Sequence, residues 1–239
     1  MRAPDGAATY AELDQLADDL AHGLRERGVV PGDRVALWLD KGLQAVAVMQ
    51  ATLRCGAAYV PIDSKSPPAR VQLILDECRP KVVVTKARNL SRVKLRGATA
   101  MLMDMGIDRF ARPFVMEEER GTDELAYILF TSGSTGIPKG VCISHRNALA
   151  FVEWSAKAIG AVAEDHFANH APFHFDLSVF DLYVSFLVGA RVCIAGELLS
   201  LAADRLVDFM REEQISVWYS VPSALIMMMD GGRLLADQD

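Results

Sequence analysis

The stretch Tyr127-Ile128-Leu129-Phe130-Thr131-Ser132-Gly133-Ser134-Thr135-Gly136-Ile137-Pro138-Lys139-Gly140 decides how this sequence is read. Its first four residues form a short apolar run that suits a buried strand. They lead without a break into ten residues holding three glycines, four hydroxyls and one lysine. Glycine admits backbone conformations that other residues resist, so successive N–H groups can converge on one anion. The hydroxyls of Thr131, Ser132, Ser134 and Thr135 add donors suited to phosphate oxygens, and Lys139 adds positive charge. A polyphosphate is the ligand that this composition fits, whereas a plain Gly/Ser hairpin has no use for so many donors beside a lysine. A Walker loop places Gly-Lys before Ser or Thr at the start of a helix. Here Pro138 precedes the lysine, Gly140 follows it, and Val141-Cys142-Ile143-Ser144 has the pattern of a strand. The loop is therefore of another kind.

Outward from the loop, strands and helices alternate. Thr9 and Glu12 have capping-box spacing. Tyr10, Leu13, Leu16, Ala17, Leu20 and Leu24 then share one helical face up to Gly28, which suits a left-handed stop. Strands are predicted at Val35 to Leu39, Ala58 to Val60 and Val82 to Val84. Helices are predicted from Leu43 to Cys55 and after Pro67-Pro68, the latter closed by Pro80. Ala100-Met101-Leu102-Met103 reads as one more strand. The acidic run Glu117-Glu118-Glu119 reads as a solvated connection, which puts an internal division near residues 105–122. The alternation then resumes. Strands are predicted at Val141 to Ile143, Val192 to Ala195 and Val217 to Tyr219, with helices after His145, through Leu201 to Glu213 and after Pro222. The pattern predicts an α/β fold of mainly parallel sheets flanked by helices.

Bulk properties narrow the function. The chain has 239 residues, of which 51% are hydrophobic and 23% charged, as in a soluble globular protein. A net charge of −6 with no basic stripe argues against nucleic acid or an anionic membrane as partner. No stretch is long and apolar enough to span a bilayer, and the first residues lack a signal-peptide pattern. Cys55, Cys78, Cys142 and Cys193 are scattered without a CxxC pair, as reduced thiols of a cytoplasmic protein would be. His166, His170 and His174 are spaced by four, but Pro172 interrupts any helix that would align them, so no metal site is expected. Met227-Met228-Met229 reads as core filling.

TSGSTGIPKG followed by VCISHRNAL resembles the phosphate loop of the adenylate-forming enzymes, a superfamily of amino-acid adenylation domains, acyl- and aryl-CoA ligases and luciferases. TYAELDQLADDLAHGLRERGVVPGDRVAL, LRCGAAYVPIDSKSPPAR and HFDLSVFDLY resemble further segments of that family, in the family's order. The resemblance implies that Thr131, Ser132, Gly133, Ser134, Thr135, Gly136 and Lys139 hold ATP, with Mg²⁺ bridging its phosphates. It also implies that residues 1–239 form the incomplete N-terminal core, without the adenine- and ribose-binding segments or the small C-terminal domain and its lysine. On that expectation the chain is a fragment, inactive alone, with an unfinished second sheet and no catalytic residue certain within it.

The segment Phe173 to Tyr183 separates branches of the family. Asp176 occupies, by motif match, the position that pairs with a substrate ammonium in amino-acid-activating members, while CoA ligases for fatty or aromatic acids usually lack it. Leu177 and Phe180 would line the side-chain pocket, and Phe175 would sit near the reacting carboxylate. The competing reading of Asp176 is a helix cap. Ser178 and Asp181 approximate a capping box, which would free Asp176 to face a ligand. The expected activity is ATP-dependent formation of an aminoacyl-adenylate, delivered to the phosphopantetheine arm of a carrier protein. A CoA ligase, or a non-catalytic binding or assembly fragment, is the alternative. The residues do not identify the amino acid.

Overall fold

The computed structural model describes residues 1–106, 113–115, 121–131, 138–196, 199 and 202–235. In chain order the elements begin with β1 (Arg2–Ala3), β2 (Gly6–Ala7), α1 (Tyr10–Glu26), β3 (Arg34–Leu37), α2 (Leu43–Arg54), β4 (Ala58–Pro61) and α3 (Pro68–Cys78). They continue through β5 (Val82–Thr85), α4 (Ala87–Leu90), β6 (Thr99–Leu102), β7 (Leu125–Thr131), β8 (Lys139–Ser144), α5 (His145–Ile159) and β9 (His166–Asn169). Next come α6 (Leu177–Val179), a π-helical turn (Phe180–Val184), α7 (Ser185–Val188), β10 (Arg191–Ile194), α8 (Ala203–Glu212), β11 (Val217–Trp218) and α9 (Pro222–Asp230).

These elements build two mainly parallel sheets flanked by helices, the expected α/β architecture. The chain divides into two compact units. One comprises Ala8–Asp40 and Gln44–Leu149; the other comprises Met1–Ala7, Lys41–Leu43 and Ala150–Asp239. The division expected near residues 105–122 falls instead inside the first of these, and the chain changes unit after Leu149. Irregular, polar sequence marked a connection there, but units are defined by packing, and packing ignores such marks. The Glu117-Glu118-Glu119 run lies outside the described residues.

The unit of Ala8–Asp40 and Gln44–Leu149 holds a six-stranded sheet in the order β6-β5-β3-β4-β7-β8. Among the described residues of this sheet only β7 and β8 pair antiparallel. Ala36, Trp38, Val60, Val83, Ile128 and Phe130 from the sheet pack with Val71, Ile74 and Leu75 of α3 into one core. The Thr9–Glu12 capping box is present: Thr9 N donates to Glu12 Oε2 at 2.8 Å, and Glu12 N donates to Thr9 Oγ1 at 3.2 Å. Gly28 and Gly56 take the left-handed conformation after α1 and α2, with φ of 76° and 67°.

The other unit holds a five-stranded sheet in the order β11-β9-β10-β1-β2. Its strands are far apart in the sequence, for Arg2 pairs with Cys193. No periodicity marks the two-residue strands β1 and β2, and sequence reasoning missed them. Leu206, Val207 and Met228 pack beneath Ala195 after β10. Of the methionine triplet, only Met228 is fully buried, while Met229 stays 46% exposed at the helix surface. Among the described residues no helix is long and apolar enough to cross a membrane.

Candidate active site

Parallel strands β3, β4 and β5 place β7 beside β4, with Tyr59 opposite Tyr127 and their rings stacked 5.3 Å apart. Residues 126–130 of β7 are buried. The strand ends at Thr131, at the carboxyl edge of the parallel strands, where open α/β sheets place their ligands. Thr131 pairs with Lys139 across the β7–β8 ladder, and its Oγ1 donates to Lys139 O at 3.4 Å. The sheet therefore holds Thr131 and Lys139 side by side. Ser132, Gly133, Ser134, Thr135 and Gly136 lie outside the described residues. Lys139 is exposed at the loop's exit, and a strand, not a helix, follows it.

Gly140 departs from the reason offered for the loop's glycines. It is a paired strand residue opposite Phe130 and is not among the positive-φ positions. Its lack of a side chain matters because a Cβ there would lie 2.9 Å from Ile128 Cγ2 and 3.2 Å from Phe130 Cζ. Close approach, not left-handed backbone, calls for glycine at this position.

In the other unit, β9 leads through Ala171-Pro172-Phe173 into a tight turn. Phe175 N donates to Pro172 O at 3.0 Å, and Ser178 Oγ donates to Phe175 O at 2.7 Å and to Phe173 O at 3.4 Å. Ser178 thus points back into the turn, and no capping box with Asp181 forms. Asp176 takes the first cap position of α6, yet its side chain makes no cap hydrogen bond and is exposed. Phe175, 51% exposed, and the half-buried Leu177 flank it. Phe180 is buried beneath, its ring 5.9 Å from Phe167 and 4.8 Å from Tyr219. The structure gathers Phe175, Asp176 and Leu177 on one exposed turn, with Phe180 as part of the packing that supports it.

Three polar residues lie under this turn: Asn169 and Lys41, which the sequence did not single out, and Asp181, which it offered only as half of a capping box. Asp181 is 1% exposed, and Asn169 Nδ2 donates to its Oδ2 at 3.0 Å. Burial pushes the Asp181 carboxyl up to about 8, against the opposing pull of the Asn169 hydrogen bond and the Lys41 charge. Lys41 Nζ donates to Asn169 O at 2.6 Å and His170 O at 3.0 Å, and stands 5.7 Å from the centre of the Phe173 ring. The clue was available: a lone Asp inside the apolar run Val179-Phe180-Asp181-Leu182-Tyr183-Val184 is a carboxyl that a helix must bury. The three spaced histidines have separate surroundings. His166 Nδ1 lies 2.8 Å from Glu213 O, His170 stacks on Trp218, and His174 meets Phe175 edge-on.

The sequence matches the AMP-binding enzyme family over residues 2–239. The chain belongs to that family. It is 42% identical to an L-proline–L-prolyl-carrier-protein ligase of Pseudomonas fluorescens over 97% of this chain and 48% of the relative. A ligase of the same name from Streptomyces coelicolor is 34% identical over 95% of this chain and 46% of its own. Among solved structures, the α-methyl-L-serine-AMP-bound form of the nonribosomal peptide synthetase FmoA3 superposes with a TM-score of 0.87 at 29% identity. That match covers 100% of this chain and 26% of FmoA3. The chain thus spans about half the length of these two curated ligases.

Proposed function

We propose that this AMP-binding chain serves a ligase that activates an amino acid with ATP and passes it to a carrier protein. The observation that carries the reading is Asp176, an exposed carboxylate at a helix start that caps nothing. A carboxylate so placed is available to an ammonium group. In the proposed reaction a substrate carboxylate oxygen attacks the α-phosphorus of ATP. The bond from that phosphorus to the bridging oxygen breaks, and pyrophosphate leaves. A thiol of the carrier's phosphopantetheine arm then displaces AMP from the acyl carbon. Thr131, Ser132, Gly133, Ser134, Thr135, Gly136 and Lys139 hold the phosphates in this reading, and catalysis consists of positioning and charge neutralisation. Asp176 fixes the amine, Leu177 and Phe180 shape the side-chain pocket, and Phe175 stands near the reacting groups. Among the described residues no three acidic, histidine or cysteine side chains gather to cage a metal. Mg²⁺ would be carried on the nucleotide's phosphates and would neutralise their charge.

The names of the two ligases make L-proline the first amino acid to try. The test is amino-acid-dependent ATP–pyrophosphate exchange by the polypeptide carrying these residues, run across all amino acids. Exchange driven by one amino acid or a narrow set supports the reading. Equal exchange with the matching acid lacking its amine would return the chain to the CoA-ligase branch.

A further inference from the structure

Asn169 and Asp181 are both buried, the first at the end of β9 and the second in the π-helical turn. One hydrogen bond joins them, from Asn169 Nδ2 to Asp181 Oδ2. The other half of the amide, Asn169 Oδ1, is buried with no hydrogen-bond partner. Buried polar atoms are nearly always satisfied, so an orphaned acceptor calls for an explanation. An ionised carboxylate offers acceptors alone and cannot meet it, whereas a neutral carboxyl has one O–H to give. Ionisation would also set a charge in a desolvated place.

We propose that Asp181 is held as a neutral carboxylic acid whose O–H donates to Asn169 Oδ1, so that acid and amide close a two-bond clamp between the Asp176 turn and β9. Asp181 is then a positioning residue. It fixes one end of the segment that presents Phe175, Asp176 and Leu177, while the other end is tied by Lys41 to the carbonyls of Asn169 and His170. The charged and titratable groups around it can be named element by element. They are Lys41, His170 after β9, Tyr183 in the same turn, and Tyr219, which rests on Phe180. Neither α6 nor α7 carries a titratable side chain. His166, at the far end of β9, faces Glu213 O. Lys41 is the cation in this set, and its bonds to main-chain oxygens hold it beside Asn169.

The sign of the pH effect follows. The folded chain keeps the Asp181 proton up to about pH 8, whereas an unfolded chain releases it near the ordinary aspartate value of about 4. Between these limits the folded state binds one more proton, so stability falls as pH rises and levels off above the upper limit. Asp181→Asn keeps both bonds, with its amide donating to Asn169 Oδ1 and accepting from Nδ2, and has no proton to lose. The experiment compares wild type, Asp181→Asn and Asp181→Leu in the polypeptide that carries this sequence. It combines denaturant unfolding across the pH window with infrared spectra of ¹³C-aspartate-labelled protein at neutral pH. Expected is an Asp181→Asn advantage that widens by roughly tenfold in the unfolding constant per pH unit within the window and is then constant. A protonated-carboxyl band should appear in wild type and be missing from Asp181→Asn. Parallel stability curves for these two proteins, or no such band, would overturn the neutral acid. Asp181→Asn also guards against the case in which Asp181→Leu fails to fold.

The positioning role rests on the ligase reading of Asp176, and a kinetic arm separates the two. The KM for the amino acid in pyrophosphate exchange should rise above pH 8 in wild type and stay level in Asp181→Asn. Exchange that works with identical KM profiles would remove the positioning role. No amino-acid-dependent exchange by wild type would sink the ligase reading and the positioning role with it, while the stability and infrared results still decide the proton.

Discussion

Asp176 stands at the start of α6 with an exposed carboxylate and no cap bond, and this sets the size of its effect. A helix cap would be worth about 1 kcal/mol of stability. Here Asp176→Ala should leave the unfolding midpoint unchanged. A charge-assisted bond to a substrate ammonium is worth about 1.5–3 kcal/mol, or roughly 10- to 100-fold in kcat/KM for the amino acid. The exposure of Asp176 keeps the expectation at this level, below the loss that a fully buried ion pair would show. Steady-state kinetics should find the ATP parameters little altered, and a des-amino acid should lose much less than the amino acid. Equal losses for both substrates would make Asp176 a structural residue.

At the scale of single elements, the β7–β8 pair holds the two ends of the proposed phosphate loop. A methyl group at position 140 would press on Ile128 and Phe130, and overpacking of this kind costs about 1–3 kcal/mol. Gly140→Ala should therefore lower stability in urea titration and weaken ATP use together, because the ladder it strains holds Thr131 opposite Lys139. Helix α1 offers a contrast far from the loop. Thr9→Ala should cost about 1 kcal/mol through its lost cap and leave ATP kinetics untouched. The Glu12 carboxylate, held below its usual range chiefly by the Thr9 backbone N–H, contributes stability that is present above the unfolded value. That contribution is lost as pH falls through the lowered one; the backbone N–H survives in Thr9→Ala, so only the part of the deficit owed to the Thr9 hydroxyl's bond to Glu12 should shrink in acid.

Across the whole molecule the thiols report on packing in both units. Burial pushes Cys55 and Cys78 up to about 12, and burial together with Glu213 brings Cys193 to about 12. Cys142 is exposed on β8. Since the thiolate is the reactive form, a disulfide reagent should titrate one fast thiol in the folded protein and four after denaturation. A second fast thiol would show that one unit opens readily. The same distribution explains why these cysteines serve as small apolar side chains, for three of the four sit inside the packing of the two sheets.

Local chemistry was legible in the sequence by itself. Thr9 and Glu12 announce a capped helix, and Gly28 and Gly56 mark its stop and the next. Val82-Val83-Val84 can only be a buried strand in such an alternation. Each signal rests on near neighbours in the chain, where backbone geometry alone fixes the spacing. Contacts between distant residues were decided by the tertiary structure. Nothing in Arg2–Ala3 foretells that it pairs with β10, because a two-residue strand has no periodicity and exists through its partner. The steric reason for Gly140 needs Phe130 across the ladder. The carboxyl of Asp181 looks like a cap by spacing, and only the fold buries it against Asn169 and sets Lys41 on the neighbouring main chain. Burial is a property of what surrounds a residue, and the chain's order does not state its surroundings.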